Sequence, residues 1–298
     1  RADLRVMELL SAPGGGHIAA PEFDPFYEHS GGYGYVWFRD DACVSRHLLE
    51  AGDRLGMETT ELLSESAEFL CARQLPDGTW PHRVWATDGS LAPGWANANV
   101  ERNHDSPEYQ GDQTATVTAF LATLLRTRHG QLSDDLTVTI RDTIVEAVDA
   151  LSRDVADNDL PAQCQNVWED SIGQFAHTAA AYIEAFSAVA RAPMSKQIRE
   201  RGQHGAERVM DGLSNLWDDE LDVYVMRLVD EEMDHRIDAA ALKLTDAFQE
   251  YDAIEGVSLS DAQVERLADH VSTTLDTLFR NPRESQVAGL ARYEGDLW

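Results

Sequence analysis

Residues 117–151, VTAFLATLLRTRHGQLSDDLTVTIRDTIVEAVDAL, decide the class of fold. Val117, Phe120, Leu121, Leu124 and Leu125 recur at helical spacing, and so do Ile140, Ile144, Val145, Val148 and Leu151, which makes the stretch two amphipathic helices around a short connection near 129–136. The same period returns in Phe175, Ala179, Tyr182, Ile183 and Phe186. It returns again in Val264, Leu267, Ala268, Val271, Leu275 and Leu278, opened by Ser260 with Gln263 three residues on, the pattern of a capping box. Further helices are expected near 3–11, 41–55, 59–73, 197–216 and 238–253. Strand signal is nearly absent, Val223 to Val229 being the only short alternating candidate. Brief connections near 56–58, 129–136, 191–196 and 254–259 alternate strictly with long ones near 12–40, 74–111, 156–170, 217–237 and 281–298. In an up-and-down array, connections that alternate in sequence lie at opposite ends, so the long ones are expected to gather at one end of an all-α fold.

Composition narrows the partners. The 298 residues are 43% hydrophobic and 26% charged, an ordinary globular balance that excludes disordered, collagen-like and coiled-coil chains. Asp+Glu 53 against Lys+Arg 24 leaves a net charge of −29, a field that repels phosphate backbones and anionic headgroups, so neither nucleic-acid nor membrane-surface partners are expected. Lysine occurs only at Lys196 and Lys243. An acidic, lysine-poor surface suits solubility in concentrated salt, where charges are screened within about 3 Å at 1 M, and predicts a halophilic source. Cys43, Cys71 and Cys164 are too few and too scattered for a disulfide framework. Arg1 to Leu10 lack the apolar core of a secretion signal, and the stretch Ala179 to Ala190, interrupted by Glu184, is too short to cross a bilayer. A soluble, cytoplasmic chain is expected.

Long loops without regular structure are usually functional or disordered, and disordered ones are poor in aromatics. Here Trp37, Trp80, Trp85, Trp95, Trp168 and Trp298 all fall in the long connections, with Trp217 at the edge of another, so several are expected to line a cleft. Three segments combine aromatic and acidic residues, two of them with arginine: Trp37-Phe38-Arg39-Asp40, Trp168-Glu169-Asp170 and Arg292-Tyr293-Glu294-Gly295-Asp296. Flat rings beside carboxylates suit sugars, whose C–H faces stack on indoles while hydroxyls take charge-assisted hydrogen bonds. Glycoside hydrolysis needs one protonated carboxyl to donate to the leaving oxygen and a second carboxylate to attack or to activate water. A carboxyl against an indole is shielded from water and keeps its proton nearer neutral pH, which suits Glu169 beside Trp168. The other reading of Glu169 is an acidic residue in a first helical turn, favoured by the helix dipole.

These segments resemble those of glycoside hydrolase family 15, the glucoamylase and glucodextranase family. Gly31-Gly32-Tyr33-Gly34-Tyr35-Val36-Trp37-Phe38-Arg39-Asp40 is similar to the stretch leading into its aromatic-X-Arg-Asp motif. Val167-Trp168-Glu169-Asp170 resembles its hydrophobic-Trp-Glu-Glu/Asp motif, and Arg292-Tyr293 with Asp296 its Arg-Tyr-X-X-Asp motif. Asp77-Gly78-Thr79-Trp80-Pro81-His82 and Tyr109-Gln110-Gly111-Asp112 are similar to a loop of that family and to the helix start after it. The resemblance covers nearly the whole chain in motif order. It implies a single (α/α)6-barrel catalytic domain over residues 1–298, two concentric rings of six helices with the site in the loops at one end. It further implies an inverting, exo-acting α-glucoside hydrolase that releases β-D-glucose from non-reducing ends of α-glucans or maltooligosaccharides. Glu169 is then the general acid. Arg39, Asp40, Arg292 and Asp296 grip the terminal glucose, Trp37 and Trp168 wall it, and Asp170 binds near the next sugar.

The chain also departs from the family pattern. The family's second glutamate, the base for water, lies well downstream of the Arg-Tyr-X-X-Asp motif, whereas this chain ends two residues after Asp296, so the general base is expected beyond Trp298. About nine or ten helices are readable against twelve, so the barrel is expected to lack its last helices and to expose apolar faces on the first and last remaining ones, favouring association. Motifs of the first sugar subsite leave the linkage open, and a trehalase, an α-1,6-glucosidase and a non-catalytic carbohydrate-binding module stay as alternatives. Neither a metal nor a cofactor is expected. No histidine pair has the H-E-x-x-H arrangement, Gly14-Gly15-Gly16 lacks the lysine of a phosphate loop and reads as a turn, and Asp230-Glu231-Glu232 reads as solvated surface.

Overall fold

A computed structural model describes residues 2–20, 34–92, 109–280 and 288–296. Nine helices lie among the described residues: α1 (Ala2–Leu10), α2 (Phe38–Leu55), α3 (Thr60–Ala72), α4 (Gly111–Arg128), α5 (Asp134–Asp154), α6 (Ala176–Arg191), α7 (Lys196–Gly212), α8 (Leu244–Asp252) and α9 (Asp261–Leu278). They form two layers. In the inner one α2 packs on α4, α4 on α6 and α6 on α8, while in the outer one α3 packs on α5 and α5 on α7. Each outer helix follows its inner partner along the chain, so inner and outer helices run in opposite directions in a helical toroid.

Composition sorts the helices between layers. A helix apolar or small on every side is stable only when surrounded. In α4 and α6 nearly every residue is buried, and the runs of Ala and Thr let neighbours approach from all directions. By contrast α5 buries the single stripe Ile140, Ile144, Ala147, Val148 and Leu151 and turns its acids outward except for Asp154 at its end, which is buried. Close approach of α7 to α6 needs Gly205, where a Cβ would stand 2.8 Å from the Phe186 ring. Serines cap three of the outer helices: Ser133 accepts from Leu136 N, Ser195 from Ile198 N, and Ser260 makes the full capping box with Gln263.

Charge runs through the inner layer. Glu184 of α6, fully buried, pairs with Arg46 of α2 and with Lys243 at 2.5 Å. Glu250 of α8 receives Arg191, with Arg126 at 3.8 Å and Arg46 at 4.0 Å. The largest exposed apolar side chains include Val6 and Leu9 on α1 and Val264, Leu275, Phe279 and Leu290 on and after α9, so apolar faces are open on the first and last described helices.

The long connections meet at one end and carry strands the sequence did not reveal. β1 (Tyr35–Trp37) pairs antiparallel with β2 (Arg83–Trp85), β5 (Trp217–Asp218) with β6 (Val223–Tyr224), and β9 (Phe279–Arg280) with β10 (Gly289–Leu290). A four-stranded sheet has the order β3 (Cys164–Gln165), β4 (Ile172–Phe175), β7 (Arg227–Val229), β8 (Glu232–Asp234). The single candidate Val223 to Val229 is thus divided between β6 and β7. Strands of two to four residues are too short to show alternation, which explains the weak signal. Asp230-Glu231-Glu232 is the exposed tip of the β7–β8 hairpin. Gly14–Gly16 forms a turn in which Gly15 takes φ +95. No described helix is long and apolar enough to cross a membrane.

Candidate active site

Pairing of β1 with β2, in the register Trp37↔Arg83, sets the start of α2 against the segment 82–85. Trp37 is buried, edge-on to His82 at 5.4 Å, and the Arg83 guanidinium lies over the rings of Tyr35 (4.7 Å) and Trp37 (5.1 Å). In the first turn of α2, Arg39 donates from Nη1 to Gln110 Oε1 at 2.5 Å and to Asp112 Oδ2 at 3.2 Å. Its Nε stands 3.8 Å from Asp40, whose side chain is open to solvent on one side at 43% exposure. Burial raises the Asp40 carboxyl above its ordinary range, against the lowering pull of Arg39.

Gln110, fully buried just before α4, joins this side of the site to the next. Its Nε2 donates to Gln165 Oε1 (3.1 Å) and to the Asn166 carbonyl (3.2 Å) at the start of the β3–β4 connection. That connection is a tight turn organised by Asn166, whose Oδ1 accepts from Asp170 N at 3.0 Å and whose backbone carbonyl accepts from Glu169 N at 3.0 Å. At the apex Glu169 has φ +65, the left-handed region that side chains with a Cβ rarely occupy. The helical first-turn reading of Glu169 is therefore replaced: it sits on a strained turn, because residues 164–175 pair as a hairpin.

Glu169 Oε1 lies 3.7 Å from His82 Nε2, and its side chain keeps 31% of its surface exposed. Burial pushes its carboxyl above the ordinary value, opposed by Arg39, Arg83 and a hydrogen bond with Gln110. Burial also drives the neighbouring His82 down to about 3 and His177, 4.0 Å from Asp112, down to about 4, so both imidazoles are neutral near neutral pH. Asp170 is exposed; against burial, hydrogen bonds from Tyr293 Oη (2.7 Å), Asn166 and Ser171 hold it below the usual carboxylate range.

The third segment arrives by an isolated bridge between Asp238 and Tyr293. Arg292 is bidentate to Asp296, both bonds 2.9 Å, with its guanidinium 5.6 Å from the Trp168 ring centre. All of Trp37, Arg39, Asp40, Trp168, Glu169, Asp170, Arg292 and Asp296 are thus carried at the loop end of the toroid. The remaining tryptophans divide. Trp85 stands edge-on to Tyr35, whereas Trp80 is fully buried with its Nε1 donating to Leu70 O, and Trp217 packs on Tyr224. Those last two belong to the core, and Trp95 and Trp298 lie outside the described residues.

Sequence reasoning missed His82, Arg83 and Gln110 as neighbours of Glu169, although His82 and Gln110 stood in quoted segments. Asp238 carried no signal. It is buried at 2% exposure, its Oδ1 accepting from Trp168 Nε1 and from Ala240 N, both at 2.9 Å, the latter capping a short 3-10 helix Ala239–Lys243. Among the described residues no cluster of His, Cys, Asp and Glu is arranged to hold a metal.

No protein-family model matches the sequence, and no curated protein matches it. Solved structures do match. A wild-type glycosidase superposes with a TM-score of 0.68 at 18% identity, over 100% of this chain and 72% of its own. A bacterial glucoamylase complexed with acarbose does so at 0.65 and 18%, over 98% of this chain and 41% of its own. The glucoamylase from Saccharomycopsis fibuligera gives 0.66 at 14%, over 96% of this chain and 62% of its own. At such identities the likeness is one of fold, and the fold is the helical toroid of the glucoamylases.

Proposed function

We propose that this chain is a glycoside hydrolase acting on the non-reducing ends of α-glucans, with Glu169 as the general acid. The observation that carries this reading is the Glu169 carboxyl itself: partly open, raised by burial, and held on a left-handed turn between two arginine-acid segments. Strain of that kind costs about 1–3 kcal/mol and persists where the surroundings over-determine it, which is characteristic of functional sites. The likeness in fold to glycosidases and glucoamylases supports the same reading.

In this mechanism Asp40 and Arg292 with Asp296 take the hydroxyls of the terminal glucose, Trp37 and Trp168 flank its ring, and Asp170 meets the next sugar. Arg39, tied to Gln110 and Asp112, fixes the start of α2 that presents Asp40. Glu169 gives its proton to the glycosidic oxygen as the C–O bond breaks and the ring gains oxocarbenium character. Water attacks from the opposite face, activated by a second carboxylate. With the two carboxyls roughly 6.5–9.5 Å apart the product is the inverted anomer.

Proton NMR of maltotriose incubated with the protein tests this. The expected first product is β-glucose, and Glu169→Gln should lower kcat at least about 10³-fold while KM moves little. Release of α-glucose first, or full turnover by Glu169→Gln, overturns the assignment.

A further inference from the structure

Glu169 is the only residue of the Trp168-Glu169-Asp170 triplet whose backbone lies in the left-handed region, and both of its neighbours are tied by their side chains to other elements. Trp168 donates through Nε1 to Asp238 Oδ1 at 2.9 Å, and Asp170 accepts through Oδ2 from Tyr293 Oη at 2.7 Å. Asp238 and Tyr293 are in turn bridged through the backbone: Ala239 N donates to Arg292 O and Glu294 N to Ile237 O, each at 2.8 Å. The bonds close a ring that runs Trp168, Asp238, Tyr293, Asp170 and returns to Glu169. Within this ring Asp238 is the one buried carboxylate, and it joins the Trp168 segment to the Arg292 segment by a side chain from neither.

We propose that Asp238 is a positioning residue for the reaction: its carboxylate clasps the Trp168 indole, and through it holds Glu169 on its strained turn facing the sugar. The proposal rests on Glu169 being the acid. A neutral indole N–H donating to an ionised acceptor makes a stronger bond than one donating to a neutral acceptor. The clasp therefore depends on the charge of Asp238. Burial pushes the Asp238 carboxyl up to about 6; the bonds from Trp168 and Ala240 and the charge of Arg236 pull it down, and the charge of Asp170 pushes it further up. Arg236 is itself held by Asp234, and Arg292 by Asp296, while Tyr293 faces Asp170, so no other described ion pair on the adjoining strands takes Asp238 as its partner. The clasp is tightest above pH 6 and loosens below it, whereas the proton on Glu169 is kept best at low pH. The two requirements oppose each other and define a working window.

The test reads Trp168 by its emission, taken as the difference between the protein and its Trp168→Phe variant, from pH 4.5 to 7.5. One titration step near pH 6 is expected in the native protein and none in Asp238→Asn, which keeps the acceptor oxygen without the charge. Asp238→Ala should shift the Trp168 emission at every pH. On maltotriose at pH 7, Asp238→Ala should lose about tenfold in kcat/KM, with Asp238→Asn, which lacks the charge, recovering only part of it. An unchanged step in Asp238→Asn, or an Asp238→Ala emission that matches the native one, overturns the proposal. Because the emission step needs no substrate, absence of turnover in the native protein and in every variant counts against the hydrolase reading and leaves the Asp238 result to be decided by fluorescence.

Discussion

Single residues at the site divide between those that act by charge and those that act by being uncharged. His82 belongs to the second group. It is fully buried, 3.7 Å from Glu169, and burial drives its imidazole down to about 3. A cation there would favour the ionised form of Glu169 and strip the acid of its proton, so a neutral ring serves the chemistry. It also has a stability consequence of definite sign. Between about pH 6.5 and 4 the unfolded chain protonates His82 and the folded one does not, so this residue removes stability as pH falls, by about 1.4 kcal/mol per pH unit. Urea unfolding of His82→Gln across that range should show a correspondingly shallower acid loss; an unchanged slope would mean that the imidazole is protonated in the folded protein.

Among the elements, the inner helices carry the burden of holding charge in a dry interior. Glu184 on α6 is fully buried and pairs with Arg46 of α2 and with Lys243 of the 3-10 helix before α8. Removing one member of such a cluster leaves uncompensated buried charge, whereas replacing partners together with apolar groups of like volume is often neutral. Glu184→Ala should therefore destabilise by about 3–5 kcal/mol in urea unfolding, and Glu184→Met combined with Lys243→Met should recover a large share of it. Equal losses in the two variants would show that packing, not charge, is what Glu184 supplies.

At the scale of the molecule the governing quantity is the net charge of −29. Self-repulsion between exposed acids weakens the compact state and is screened by salt, while the buried pairs of α2, α6 and α8 are screened far less. Added salt should on balance stabilise. Raising potassium chloride from 0.1 to 1 M is expected to lift Tm by at least about 3 °C in calorimetry, and a fall in Tm would mean that salt costs the ion pairs more than it relieves the surface.

Helix positions were legible because their evidence is local. The stripes Ile140 to Leu151 and Val264 to Leu278 and the Ser260–Gln263 box needed no knowledge of distant residues, and the alternation of loop lengths told which ends would meet. The three site segments were legible as residue types, since an aromatic beside an acid is visible in a row of letters. What lay outside reach were facts made by contact between remote segments. The row of letters cannot tell Trp80, plugged under α3, from Trp168, open to the site, because burial belongs to the neighbours and not to the indole. Strands of two to four residues gain their pairing from partners up to 54 residues away and leave no period of their own. Asp238 is the clearest case: one aspartate among 53 acids, it gained a role only when folding set Trp168 and Tyr293 on either side of it and took the water away.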